Sequence, residues 1–168
     1  MALRTTPQGF APVWAPESQA LILGSYPSPQ SVANGFYYGH PRNRFWPLLA
    51  RLGHAPLPAD NNEKAALVLQ CGLALWDVLA SCEINGASDA SIRNAQPNDI
   101  AALIKKSSIT AVFCNGAAAH RFYGRFCQAQ TGLPAQRLPS TSPANAACDY
   151  ENLYAAWRQA LLPYLPAG

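Results

Sequence analysis

Short apolar runs alternate along this chain with stretches in which apolar residues recur every three or four positions. The runs are typical of strands buried on both faces, and they lie at residues 18–23, 73–79, 109–114 and 136–138. The helical spacing predicts helices at residues 43–52, 61–71, 99–106, 117–126 and 150–162. Strands that alternate with helices predict an α/β fold, with a central, mainly parallel four-stranded sheet and helices on both of its faces.

Local signals mark where some of these elements begin. Asp60 stands three residues before Glu63, which is the signature of a helix N-cap. Asn98 is predicted to cap the helix at residues 99–106. The intervening segment at residues 81–97 is polar and punctuated by glycine, and it is predicted to be a long loop.

Two polar loops should lie at the same edge of the predicted sheet. One begins at Gly24, directly after the first strand, and the other covers residues 139–145, directly after the last strand. In an open α/β sheet, ligands bind where loops leave the carboxyl ends of the strands. These two loops are therefore the first place to look for a functional site.

Composition limits the class of protein. The chain has 168 residues, of which 49% are hydrophobic and 12% are charged. This size and composition predict a single domain at residues 1–168. Residues 1–16 are expected to form an extended N-terminal segment. Phe10 and Trp14 of that segment are expected to pack on the domain edge. Neither a membrane span of about 20 apolar residues nor a signal-peptide pattern is evident, so we expect a cytoplasmic protein. Nothing in the sequence requires more than a monomer.

Several chemistries are disfavoured. The five cysteines form no C-x-x-C pair and the three histidines lack ligand spacing, so no metal is expected. The loop at Gly24 offers no G-x-G-x-x-G motif for a dinucleotide. Ser140 lacks the G-x-S-x-G elbow of a serine hydrolase. The net charge of +3 is lower than is usual for a protein that coats nucleic acid by counterion release.

One stretch carries a more specific signal. After the GSYP turn that follows the first strand, residues 35–46 read GFYYGHPRNRFW. This stretch resembles the mismatch-specific uracil-DNA glycosylases, and most of all the branch described as hypoxanthine-DNA (DNA-deoxyinosine) glycosylases. The resemblance extends to residues 73–83 and 138–143. It implies a three-layer α/β/α domain that flips a damaged nucleotide out of DNA and hydrolyses its N-glycosidic bond, with no cofactor.

The expected catalytic residue is Asn43. In uracil glycosylases the turn after the first strand is similar to G-x-[DN]-P, and its Asp or Asn holds the hydrolytic water. Here Tyr26 occupies that position, and a phenol cannot act as a base at neutral pH. The resemblance passes the role to Asn43, whose amide oxygen would orient a water. The position of Asn43 fits the N-cap of the following helix equally well, and both interpretations stay open here.

Further residues are expected to hold the flipped base. Tyr38 falls where the family has an aromatic side chain that stacks on the base, and stacking tolerates a purine. Ser25 and Tyr26 would offer backbone N–H groups near the base. Trp76 and Asp77 end the second strand, where the wider superfamily often carries an Asn that reads the edge of uracil. Its absence here puts uracil specificity in question.

The last loop is similar to the second motif of the family, which is H-P-S or N-P-S. Leu138 replaces the His or Asn, so a hydrogen bond to the leaving group is missing. This suits a purine, whose departure can be assisted by protonation or a hydrogen bond at N7. The residues expected to contact the DNA backbone are small polar side chains and two arginines, namely Arg42, Arg44, Ser140, Thr141, Ser142 and Asn145. The alternative for residues 139–145 is an ordinary capping loop. Arg121 and Arg125 share a helix face that could meet phosphate or be merely solvated.

The sequence therefore predicts a monofunctional DNA glycosylase that removes hypoxanthine from deoxyinosine in damaged DNA. One alternative is a uracil-DNA glycosylase of relaxed specificity. The other, suggested by the replacements at Tyr26 and Leu138, is a catalytically weak module that binds DNA lesions.

Overall fold

The computed structural model describes residues 4–6, 9–85 and 88–167. Within these residues, strands and helices follow one another in the order β1 (Arg4–Thr5), β2 (Ala20–Gly24), α1 (Pro29–Ala33), α2 (Phe45–Leu52), α3 (Asn61–Gln70), β3 (Leu73–Asp77), β4 (Leu79–Asn85), β5 (Ser88–Pro97), α4 (Ile100–Lys105), β6 (Ala111–Asn115), α5 (Ala117–Phe126), α6 (Gln128–Thr131), β7 (Ala135–Leu138) and α7 (Tyr150–Leu161). A short 3-10 helix at Leu162–Tyr164 continues α7.

The central sheet has four parallel strands in the order β3-β2-β6-β7. Strand β2 is paired on both sides, with Leu21 opposite Ala74 on β3 and Val112 on β6, and all five of its residues are buried. This burial explains its continuous apolar sequence, because a strand covered on both faces has no solvent side to mark with polar residues. The predicted α/β fold is confirmed.

Helices cover both faces of this sheet. Successive side chains of β2 point in opposite directions, so Ile22 joins one buried cluster, while Leu21 and Leu23 join the other. The first cluster contains the apolar faces of α2 and α7, and the second contains those of α4 and α5. The result is the three-layer α/β/α arrangement that the family resemblance implied.

The prediction of a long loop at residues 81–97 is wrong. This segment instead contains most of an antiparallel hairpin, in which β4 pairs with β5 and with the short strand β1. The buried residues of β4 are Cys82 and Ile84, and that of β5 is Ile92; all three join the cluster that contains Leu21. Strands β4 and β5 therefore each have one buried face. The register shifts three times between β4 and β5, which breaks the strict alternation by which a strand is recognised in a sequence.

One helix cap was also predicted one residue too early. Asp99, rather than Asn98, caps α4 and accepts a hydrogen bond from the N–H of Ala102 at 3.1 Å. The side chain of Asn98 instead donates to the main-chain oxygen of Asp77 at 2.8 Å. The cap predicted at Asp60 is confirmed, since its carboxylate accepts from the N–H of Glu63 at 2.8 Å.

The N-terminal approach packs against the sheet edge as expected. Phe10 contacts the ring of Tyr37 with centroids 5.0 Å apart, and Trp14 is partly buried against the second cluster. Val13 forms an antiparallel bridge to Leu75 of β3. Across the described residues, none of the helices has the length and apolar character required to cross a membrane.

Leu21→Ala should show how strongly the molecule depends on β2. Its side chain is fully buried in the central strand, so truncation should lower the free energy of unfolding by about 2 to 5 kcal/mol. Leu57→Ala is the matched control, because that side chain is 62% exposed and should change stability little. Urea unfolding of both variants measures the difference, and equal losses would contradict the assignment of β2 as the centre of the core.

Candidate active site

A cavity of about 560 Å³ opens at the carboxyl edge of the central sheet. The two polar loops meet there, as predicted. The loop after β2 supplies one wall and the loop after β7 supplies the other. The ends of β3 and β6 also line the cavity, through Asp77 and Asn115. The lining residues are Phe10, Gly24, Ser25, Tyr26, Pro27, Ser28, Ser31, Tyr37, Tyr38, His40, Asn43, Asp77, Asn115, Ser140, Thr141, Ser142 and Pro143.

Gly24 allows two polar groups to approach the end of β2. A Cβ atom at this position would overlap Oδ1 of Asp77 and would lie 3.1 Å from the hydroxyl of Tyr38. Gly24 is opposite Asp77 in the register of β2 and β3, so the two residues leave the sheet side by side. A glycine is needed here for the close approach.

Asp77 is a buried carboxyl group in this cavity. Only 7% of the residue is exposed, and burial raises its pKa to about 7. The cause is desolvation, which disfavours the charged form. Within the described chain, neither a lysine nor an arginine lines the cavity to offset a negative charge.

Tyr38 lies beside this carboxyl group in a strained backbone conformation. Its φ of 53° lies in the left-handed region, which is uncommon for a residue with a side chain. The ring packs on Phe45 with centroids 4.3 Å apart. Its hydroxyl is buried without a hydrogen-bond partner in the described part of the chain. Burial and then the Asp77 carboxyl raise the pKa of Tyr38, and the side chain of Asn115 opposes that effect.

A chain of hydrogen bonds crosses from the end of β6 to the first loop. The N–H of Thr141 donates to Oδ1 of Asn115 at 3.0 Å, and Nδ2 of Asn115 donates back to the Thr141 hydroxyl at 3.0 Å. That hydroxyl donates to Oδ1 of Asn43 at 2.8 Å, and the same oxygen accepts the N–H of Phe45 at 3.0 Å. Because backbone N–H groups can only donate, they fix the direction of every bond in the chain.

This network determines which atom of Asn43 can serve the cavity. An amide oxygen has two lone pairs, and both are occupied by donors from Phe45 and Thr141. The amide oxygen therefore has no lone pair left for the water that it was expected to orient. The part of the Asn43 side chain that remains for the cavity is the Nδ2 group, which is a donor.

Comparison with known proteins agrees with this architecture. A family model described as the uracil DNA glycosylase superfamily matches residues 11–165. The chain belongs to this superfamily. A solution NMR structure of a Methanosarcina acetivorans protein, described as a candidate uracil DNA glycosylase, is similar with a TM-score of 0.79 and 27% identity, and the match covers 94% of this chain and 97% of that one.

Two similar curated proteins carry the name hypoxanthine DNA glycosylase. The protein from Methanosarcina acetivorans is 31% identical over 140 residues, which is 82% of this chain and 87% of that protein. The protein from Methanosarcina barkeri is 35% identical over 97 residues, which is 57% of this chain but only 61% of that protein.

In this superfamily member, most of the predicted base-binding residues lie together. Ser25, Tyr26, Tyr38 and Asp77 all line the cavity. Trp76 does not, because its indole nitrogen donates to the main-chain oxygen of Phe10 at 3.1 Å and holds the N-terminal segment. The tyrosine at the usual water-holding position is partly buried against the second cluster.

The arginines predicted to contact DNA differ in their surroundings. Arg42 is exposed on the first loop. The guanidinium of Arg44 is directed inward and donates to main-chain oxygens of the last loop, namely those of Ser140, Thr141, Ser142, Asn145 and Cys148. Arg44 therefore holds the last loop in place, and its contact with DNA stays a prediction.

The small polar residues of the last loop also divide into two groups. Ser140, Thr141 and Ser142 line the cavity, whereas Asn145 does not. Thr141 is fully buried with its hydroxyl inside the network, and Asn145 donates to the main-chain oxygen of Ser140 at 3.0 Å. Leu138, which replaces the His or Asn of the family motif, is 2% exposed and packs in the core.

Asn115 and His40 line the cavity but are not among the predicted site residues. Asn115 is the last residue of a parallel strand, and that place was a usable signal. His40 lines the cavity, and its Nδ1 accepts the N–H of Arg42 at 3.0 Å. This bond requires the neutral ring to carry its proton on Nε2.

Arg44→Lys should loosen the last loop. A lysine has three donors on one atom and cannot reproduce the planar fork that reaches several carbonyl groups. We expect the free energy of unfolding to fall by about 2 kcal/mol, which urea titration would measure. Arg42→Lys is the matched control on the same loop and should leave stability unchanged. A stable Arg44→Lys variant with an intact cavity would contradict the role of Arg44.

Proposed function

We propose that this protein is a monofunctional DNA glycosylase that removes hypoxanthine from deoxyinosine in DNA by base flipping and attack of water at C1′. The observation that carries the proposal is the hydrogen bond from Thr141 to Asn43, which joins the two motif loops that line the polar cavity. The similarity to two proteins named hypoxanthine DNA glycosylase supports the choice of base.

The proposed reaction needs a water molecule that is held in the right position more than it needs a strong nucleophile. Cleavage of the bond between C1′ and N9 leaves a cation-like sugar, and the bonding electrons depart with the base. We infer that Nδ2 of Asn43 donates a hydrogen bond to the oxygen of the attacking water, whose other lone pair forms the new bond to C1′. The water then releases a proton to solvent, and the departing base takes one up.

The composition of the cavity is consistent with a water mechanism. None of the described residues that line it is a lysine, so no amine stands ready to form a Schiff base with C1′. Tyr38 would contact the flipped base, and Ser140 and Ser142 would lie near the flanking phosphates. Because Leu138 is in the core, help for the leaving group has to come from elsewhere in the cavity.

A direct assay tests the proposal. Duplexes with deoxyinosine, deoxyuridine, deoxyxanthosine or no lesion are incubated with the protein and then treated with hot alkali, which breaks the strand at abasic sites. We expect breakage at deoxyinosine. Breakage mainly at deoxyuridine would support the uracil alternative, and binding without breakage at any lesion would support the binding-module alternative. A covalent complex trapped by borohydride would contradict the monofunctional mechanism.

Asn43→Asp and Asn43→Ala together test the role of the amide nitrogen. Aspartate keeps an oxygen that can accept from Phe45 and Thr141, but it has no N–H group. We expect both variants to cleave deoxyinosine about 100-fold more slowly in single-turnover assays, which corresponds to about 2.7 kcal/mol. If Asn43→Asp is as fast as the original protein, an oxygen atom orients the water and the donor role is wrong.

Thr141→Val tests the network behind Asn43. Valine has nearly the shape of threonine but cannot donate to Asn43 or accept from Asn115. We expect kcat to fall about tenfold with KM little changed, because the loss of orientation affects the chemical step more than binding. Thr141→Ser keeps the hydroxyl and should restore most of kcat. A purely structural role would lower stability without this separation of kcat from KM.

A further inference from the structure

Asp77 is held in a fixed position at the base of the cavity. Its main-chain oxygen accepts from the side chain of Asn98 at 2.8 Å, and the next residue, Val78, donates to the main-chain oxygen of Gly24 at 2.8 Å. Both bonds fix the end of β3. The carboxyl group therefore projects past Gly24 from a rigid strand end and lines the cavity.

The groups around this carboxyl do not favour its ionised form. From the first loop, Tyr37 and Tyr38 face it, and Tyr37 already donates its hydroxyl to the main-chain oxygens of Phe10 and Ala11. The hydroxyl of Tyr38 is buried and has no hydrogen-bond partner in the described part of the chain. The one cause of the raised pKa of Asp77 is burial, and no hydrogen bond from Tyr38 opposes it.

Strand β6 adds no positive charge among the described residues that line the cavity. From β6, the cavity region receives the amide of Asn115 and, behind Tyr38, the buried thiol of Cys114. Among the described residues that line the cavity, His40 is the one whose side chain could carry positive charge. Desolvation alone accounts for the raised pKa of Asp77, so a neutral carboxyl group is the form that this environment stabilises.

We propose that Asp77 recognises the Watson–Crick edge of the flipped base as a neutral carboxylic acid, and that its ionisation switches the site off. This inference rests on the proposed function. A neutral carboxyl group offers a carbonyl oxygen that accepts and an O–H group that donates, next to each other. Hypoxanthine presents the complementary pair, an N1–H donor beside the O6 acceptor. The substrate class is therefore a base with a lactam edge, which includes hypoxanthine and uracil.

Ionisation would harm both recognition and catalysis. A carboxylate can still accept from N1–H, but it has no proton for O6 and repels the lone pairs of that oxygen. It would also repel the negative charge that develops on the departing base, and it would do so in a site sheltered from water. The neutral acid does the opposite, because its O–H bond to O6 strengthens as charge builds on the base.

The direction of the pH dependence follows from these contacts. The protonated fraction of Asp77 is near one well below its pKa of about 7 and falls as the pH rises through that value. For a single group with this pKa, about 3% remains protonated at pH 8.5. We therefore expect the single-turnover rate on deoxyinosine to fall about 30-fold between pH 5.5 and pH 8.5.

Asp77→Asn tests the proposal, because an amide also places one acceptor beside one donor but does not titrate. We expect the variant to cleave deoxyinosine with less than about a threefold change over the same pH range. Glu83→Gln, a change of an acid on the adjacent hairpin outside the cavity, is the matched control and should keep the alkaline decline. A decline that persists in Asp77→Asn would assign the titration to another group, such as His40, and would overturn the proposal.

A measurement on the unaltered protein avoids dependence on any variant. Carboxyl carbon NMR of protein labelled at aspartate should show Asp77 titrating near pH 7, and a pKa near 4 would overturn the proposal. Different results would contradict the proposed function and the proposed role of Asp77. Absence of deoxyinosine cleavage at every pH would contradict the proposed function, whereas cleavage with a flat pH profile would contradict only the role of neutral Asp77.

Discussion

The hydrogen bond from the hydroxyl of Thr141 to the amide of Asn43 joins two loops that are 98 positions apart in the chain. The rest of the site depends on this contact, because each loop alone would be a flexible polar connection on the surface. Arg44, the next residue, strengthens the same junction by donating to several main-chain oxygens of the last loop. One dipeptide thus fixes the separation of the cavity walls and the orientation of the amide inside it.

The central sheet was predictable because its chemistry is simple. Strands covered on both faces carry continuous apolar runs, and β2 and β3 show this clearly in the sequence. The β4–β5 hairpin was missed because it buries only one face and its register shifts repeatedly, so apolar residues do not alternate regularly. Parallel topology then placed the two polar loops at one edge, and this step needed no knowledge of side-chain contacts.

Within the site, the sequence pointed to residues that line the cavity, but it could not give the hydrogen bonds between them. The charge of Arg44 suggested contact with DNA, but a planar group with five N–H donors can equally satisfy the main-chain oxygens of a loop. Asn43 was left between a helix cap and a catalytic amide; the N-cap of α2 is Arg44 rather than Asn43, and the catalytic role of Asn43 stays a prediction. Its oxygen accepts the N–H of Phe45 near the start of α2, while its nitrogen is left for the cavity. Such a division depends on hydrogen bonds between distant segments, which no local pattern encodes.

The position of the one carboxyl group in the described cavity lining explains how a glycosylase could work without an acid in its first motif. A charged acid near C1′ helps by activating water and stabilising the sugar cation, whereas a charged acid near the base opposes the departure of an anion. In the proposed site, Tyr26 stands in place of the first acid, and burial of Asp77 disfavours charge at the second location. For the proposed reaction, the site then relies on an oriented water and on neutral hydrogen bonds. This arrangement suits a bond that breaks largely before the nucleophile adds, because orientation then contributes more than basicity.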